Sequence, residues 1–196
     1  EPGLGEKMSI IDQTAERLAK QVKKASPHVD EQIVQYYYTR AFNRLIFYVI
    51  CIPLIIILRL NIFSFITVLL SYSLLRRCFG GAHLESDIGC LILSVVTMTG
   101  GTWISSYIKP SLILIIAVYI FTFIVVQWTG LIDSPKKRIV KLRAAFIRQG
   151  YFTIAFLTLI TFILYYFDET RMMTGSIIVG IMIELASLII GKIRYR

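Results

Sequence analysis

Charged side chains are scarce in this chain. Asp, Glu, Lys and Arg make up 17% of its 196 residues, where a soluble domain carries about 25%. Acidic residues are the scarcer sign, 12 against 21 basic, for a formal charge of +9. There are two histidines, too few for a multi-histidine metal centre. The three cysteines form no Cys-x-x-Cys pair, which argues against a zinc site or a disulfide framework. No Gly-x-x-x-x-Gly-Lys-Ser/Thr run is present to hold nucleotide phosphates, so no cofactor is expected. Residues 1–40 are polar and lack the apolar core and cleavage site of a secretory signal. No low-complexity stretch, soluble linker or clear internal repeat breaks the chain. What remains is apolar: 56% of residues are hydrophobic and the mean hydropathy is +0.70. That composition places a single domain in a bilayer.

Six apolar runs are readable, at about 42–58, 60–75, 89–107, 110–130, 150–167 and 172–191, each near the roughly 20 residues a bilayer requires. Pro53 is expected to kink the first. Ahead of them, Ile11, Ala15, Leu18, Val22 and Ala25 recur at helical spacing among Arg17, Lys20, Lys23 and Lys24. That pattern predicts an amphipathic basic helix on an anionic inner leaflet. The expected fold is therefore all-α, a polytopic integral membrane protein of about six transmembrane helices with an N-terminal surface helix. Residues 1–7, before Met8, read as an expression remnant, 8–40 as an interfacial arm and 41–196 as the membrane domain.

Basic residues cluster in the N-terminal arm, the 76–90 loop, the 131–149 loop and the C-terminus. The positive-inside rule then puts both termini and both loops on the cytoplasmic side, in a reducing compartment where a free thiol persists. Because these charges sit in short loops at span ends, nucleic acid is not an expected partner.

One polar, glycine-broken stretch carries the chemistry: Arg76-Arg77-Cys78-Phe79-Gly80-Gly81-Ala82-His83-Leu84-Glu85-Ser86-Asp87-Ile88-Gly89-Cys90. Imidazole can take a thiol proton near neutral pH, so His83 and Cys90 are candidates for an activated nucleophile. On one straight helix, residues seven apart stand about 10 Å apart, too far for a hydrogen bond of about 3 Å. A dyad thus needs a break, which Gly80, Gly81 and Gly89 can supply. The expectation is a loop or re-entrant segment carrying His83, folded back on the start of the Cys90 helix, where backbone dipoles favour a thiolate. By spacing alone, an ordinary loop histidine and a small apolar cysteine fit slightly better. Asp87, four residues after His83, is a candidate to orient the imidazole. Cys78 is a rival nucleophile, and Cys51 reads as inert packing.

Other positions carry weaker signals. Ser94, Thr97, Gly101 and Ser105 form nearly one stripe, either a groove for an extended peptide or a helix-packing face. Glu184 stands inside the last span, where a carboxylate is costly, and either pairs with Arg76, contacts substrate or is bonded within the helix bundle. Lys136, Lys137 and Arg138, with Lys141, Arg143 and Arg148, either hold an acidic peptide tail or fix topology.

Arg76, the Gly80-Gly81-x-His83 turn and the His83-x6-Cys90 spacing resemble the accessory gene regulator B (AgrB) family, and the order of apolar spans extends the likeness over the chain after Met8. The resemblance implies a membrane-embedded cysteine endopeptidase of quorum sensing. Such a protein cleaves an amphipathic autoinducer pro-peptide and helps cyclise it to a thiolactone. It implies His83 and Cys90 as the catalytic pair, and a homodimer in a bacterial cell membrane. The family's proline-containing turn is present at Asp133-Ser134-Pro135, but Gly130-Leu131-Ile132-Asp133 replaces its usual flank. The competing reading is a non-enzymatic exporter, which would be expected to show broken helices in two related halves.

Overall fold

The computed structural model describes residues 10–82, 86–132, 143–167 and 170–195, with the backbone but not the side chain of Ile10 and Asp87. Among the described residues there are seven helices: α1 (Ile10–Ala25), α2 (Glu31–Ile57), α3 (Ile62–Phe79), α4 (Asp87–Ser105), α5 (Leu112–Thr129), α6 (Arg143–Tyr166) and α7 (Arg171–Arg194). Helices α2 to α7 are long and apolar enough to cross a membrane. The all-α, six-span architecture expected from composition is thus present.

The chain forms two units, divided at Pro53 within α2. In the first, α1 buries Ala15 and Ala19 and leaves its lysines outward. Thr39 Oγ1 donates to Asp12 (3.4 Å), and Lys23 pairs with Glu31 (3.6 Å). Glu16 bonds Lys20 one turn away, which raises the lysine pKa because the ammonium is the form that donates. Cys51 is fully buried.

The second unit is organised around α7, the most buried of the six spans. It packs on α3, α4, α5 and α6. Small residues make this possible. A Cβ at Gly180 would strike Ser71 and come within 2.6 Å of the Val68 carbonyl, so α3 and α7 touch backbone to backbone. Gly150 on α6 similarly admits the Phe79 ring.

The ends of the elements follow from local chemistry. Helix α2 closes in a Schellman motif: Arg59 N donates to Ile56 O (3.1 Å) and Leu60 N to Ile55 O (2.9 Å), with Arg59 at φ 53°. Asn61 then caps α3, accepting from Phe63 N and Ser64 N; Ser111 caps α5, accepting from Leu114 N.

Two helices begin well before the apolar runs they contain. Helix α2 begins at Glu31 and not near residue 42, and α6 at Arg143 and not near 150. In both, polar turns continue a helix beyond its apolar core, because backbone hydrogen bonding does not stop where hydrophobicity does. Pro53 lies within a continuous α2.

Candidate active site

Arg76 and Arg77 occupy the last turn of α3, and Cys78 follows them on the same helix. Of the three glycines expected to break the chain, Gly89 lies inside α4, because Ser86 starts that helix before it, and Gly80 and Gly81 make the break that is described. Helix α3 ends at Gly80 (φ 82°), followed by Gly81 (φ 147°), both in regions that other residues avoid. Space excludes a side chain there as well. A Cβ on Gly80 would collide with the Ile132 carbonyl, and one on Gly81 would lie 2.5 Å from Ser187 Oγ and 2.8 Å from Arg76 Nη1. Gly80 forms a parallel bridge with Ile132, and Ile132 N donates to Phe79 O (2.9 Å). The segment after α5 is thus stitched to the turn after α3.

Arg76 gathers this end of the unit. Its Nη2 donates to Ala82 O and its Nη1 to Ser187 Oγ, both at 2.7 Å. Nη1 also stands 3.5 Å from Glu184 Oε2, and the guanidinium lies over the Tyr72 ring, 5.3 Å from its centroid. Ala82 N donates to Ser187, with both Oγ and the backbone carbonyl at 3.1 Å. Glu184 is fully buried. Its carboxylate faces Arg76 inside the protein, the internal pairing that the sequence offered as one reading. Lys192 Nζ completes the basic end by donating to Thr129 O (3.2 Å) at the close of α5.

Cys90 lies in the first turn of α4. Ser86 caps that helix: its hydroxyl accepts from Gly89 N (3.3 Å), and its carbonyl accepts from Cys90 N (3.0 Å). The thiol is half-buried. Cys78, the rival nucleophile, is buried in the hydrophobic core. Its sulfur is 3.6 Å from Thr153 Oγ1 of α6. Burial disfavours Cys78 as a nucleophile because a substrate carbonyl has no path to it.

The remaining sequence-predicted positions separate. His83, Lys136, Lys137, Arg138 and the Pro135 turn lie outside the described residues, as does the Asp87 side chain. Ser94 Oγ donates to the Cys90 carbonyl (2.8 Å) and is thereby turned onto its own helix. Farther along the stripe, Gly101 packs on Val179 and Ile183, and Ser176 Oγ of α7 donates to Ser105 (3.2 Å). That part of the stripe is a helix-packing face. Beside it, an apolar groove of about 440 Å³ runs between α4 and α7, lined by Val96, Thr97, Gly100 and Ile104 against Met182 and Ile183.

Sequence reasoning missed Ser187 and Gly191. Gly191 brings α7 against Ala82 and Ile132, with a Cβ there 3.0 Å from Ala82 N. A signal was present: Gly180, Glu184, Ser187 and Gly191 recur at four, three and four residues, one face of a helix.

The accessory gene regulator B (AgrB) family model matches residues 11–188. The chain belongs to the AgrB family. It is also similar to a putative AgrB-like protein of Halalkalibacterium halodurans, 31% identical over 98 residues, 48% of this chain and 49% of that relative. The matched region thus spans about half the length of this curated AgrB relative. No solved structure matches the chain. Among the described residues no group of three or more His, Cys, Asp or Glu could hold a metal ion.

Proposed function

We propose that this AgrB-family chain is a membrane-embedded cysteine endopeptidase. It cleaves the C-terminal tail from an autoinducer pro-peptide and promotes cyclisation of the remainder to a thiolactone. Family membership supports a role in the accessory gene regulator quorum-sensing system. The observation that carries the finer reading is the division of the thiols. Cys51 and Cys78 are buried, while Cys90 is half-buried at the start of a helix. The turn leading to His83 is tied to the end of α3 by Arg76.

In this reading His83 accepts the Cys90 thiol proton and the sulfur attacks the scissile carbonyl. The C–N bond breaks, His83 returns the proton to the departing amine, and the tail leaves. The acyl group remains on Cys90 as a thioester. The peptide's own cysteine then attacks that thioester, closing a thiolactone and restoring the Cys90 thiol. The basic loops are cytoplasmic by the positive-inside rule, and the cationic 136–138 run meets an acidic tail.

Energetics constrain the scheme. Exchange of an amide for a thioester is uphill, and thioester-to-thioester transfer is nearly neutral. Ring closure therefore lies toward the uncut peptide and is drawn forward by removal of products. Membrane attachment of the substrate raises its effective concentration at Cys90.

The test is purified protein in vesicles with a synthetic pro-peptide that has an amphipathic start, one central cysteine and an acidic end. Conversion should plateau early, added tail peptide should return thiolactone to full-length chain, and Cys90→Ser and His83→Ala should each abolish cleavage without additive loss. Undiminished cleavage by Cys90→Ala would remove Cys90 as the nucleophile, and either move that role to Cys78 or discard the cysteine-peptidase reading. Steady conversion to completion, indifferent to added tail, would replace cyclisation by hydrolysis.

A further inference from the structure

We propose that Ser187 of α7 is a positioning residue for this centre, holding Arg76 and the Ala82 peptide group in one fixed arrangement. The inference rests on the peptidase reading. One hydroxyl oxygen accepts from two different elements, Arg76 Nη1 on α3 at 2.7 Å and Ala82 N in the following turn at 3.1 Å. The other guanidinium arm closes the ring by donating to Ala82 O at 2.7 Å. Both polar groups of Ala82 are thereby held, and Ala82 immediately precedes His83 in the chain. Gly81 has no side chain because Ser187 Oγ and Arg76 Nη1 fill the space where one would stand.

Arg76 alone would not hold the turn. Its long side chain is flexible, and Glu184, 3.5 Å from Nη1, supplies charge with looser geometry than a 2.7 Å bond. Without the Ser187 hydroxyl, Nη1 is drawn toward Glu184, and Nη2 carries the Ala82 carbonyl with it. Ala82 N then keeps only the Ser187 carbonyl. The helix itself should tolerate the change, because alanine suits a helix interior.

The experiment reads thiol activation without a substrate. Wild type, His83→Ala, Ser187→Ala and Ser187→Thr are placed in vesicles and treated with iodoacetamide at pH 7. Alkylation of each cysteine is followed by peptide mass spectrometry. A thiolate is the reactive form, so the Cys90 rate reports the state of the pair. A displacement of about 1 Å at a reacting centre costs up to about 100-fold. Ser187→Ala should therefore slow Cys90 alkylation by about tenfold or more, toward the His83→Ala rate. Ser187→Thr should stay within about twofold of wild type, since it restores the oxygen. Buried Cys78 should stay unlabelled in every variant. Wild-type rates in Ser187→Ala beside a slow His83→Ala would overturn the positioning role and leave the peptidase reading intact. A fast His83→Ala would sink the cysteine–histidine pairing and this inference with it. Labelling of Cys78 in Ser187→Ala, or a Ser187→Thr as slow as Ser187→Ala, would mean a purely structural role and overturn the proposal.

Discussion

The two ends of α7 approach their neighbours by the same device and bury different things. At the N-terminal end Gly175 lets α7 come close to α4, with the Ile108 and Ser105 carbonyls 3.1 and 3.3 Å from where its Cβ would be. The polar groups buried there are neutral hydroxyls. Ser105 donates to Thr102 O in its own helix, and the single Ser176 hydroxyl hydrogen has two acceptors in reach, Ser105 Oγ and Met172 O of its own helix. At the C-terminal end Gly191 brings α7 against the turn after α3. The groups there are a fully buried carboxylate, facing a half-buried guanidinium and a half-buried serine that receives two donors. A hydroxyl satisfied by its own helix has little need of a neighbour. A buried charge has to have one, and that need ties the C-terminal end to a single arrangement. The first end is packing. The second fixes where the chain leaves α3 on its way to Cys90.

Substitutions can break this contrast, and Arg76→Ala should do so most strongly. It leaves Glu184 buried without its cation, a loss of about 3–5 kcal/mol, and frees Ala82. Cleavage should vanish and unfolding in detergent should shift to much milder conditions. Retained stability would mean that Glu184 does not depend on Arg76. Arg76→Lys sharpens the comparison by keeping the charge and removing the planar fork. Stability should fall by less than in Arg76→Ala, while the rate of tail release should drop by at least about tenfold, because one ammonium does not replace the two 2.7 Å guanidinium bonds. Full activity would reduce Arg76 to a topology charge.

Gly180→Ala, between the two ends, should cost about 1–3 kcal/mol through overpacking, since its Cβ meets Ser71 and the Val68 backbone. A thermal melt indistinguishable from wild type would show that α3 and α7 separate easily. Ser176→Ala at the N-terminal end should have the smallest effect, about 0.6 kcal/mol, the average for hydrogen bonds between membrane helices. The turnover rate should stay unchanged. A large loss of turnover there would erase the distinction between the two ends.

Several features were readable in the sequence because each depends on local composition. Six spans follow from runs long enough to cross a bilayer, and glycines at 80 and 81 mark a break that their positive φ angles require. The helix starts at Glu31 and Arg143 were not readable, since hydropathy registers the apolar core and not the backbone hydrogen bonds that extend it. Cys78 and Cys90 are alike in sequence, each near the motif and each at a span end. They differ in burial: Cys78 packs in the core near Thr153 of α6, while Cys90 remains half-buried.

By itself, the sequence determined the membrane, the helical class, the candidate nucleophiles and the family resemblance, because apolar length, charge and motif spacing are carried along the chain. Tertiary structure decided which arginine neighbours matter. Ser187 is 111 residues from Arg76, and a serine inside an apolar helix has no local mark that separates it from ordinary packing. Only the close approach of α7, permitted by Gly180 and Gly191, puts its hydroxyl between Arg76 and Ala82. A hydrogen bond of 2.7 Å is set by where two helices meet, and no stretch of sequence contains that meeting point.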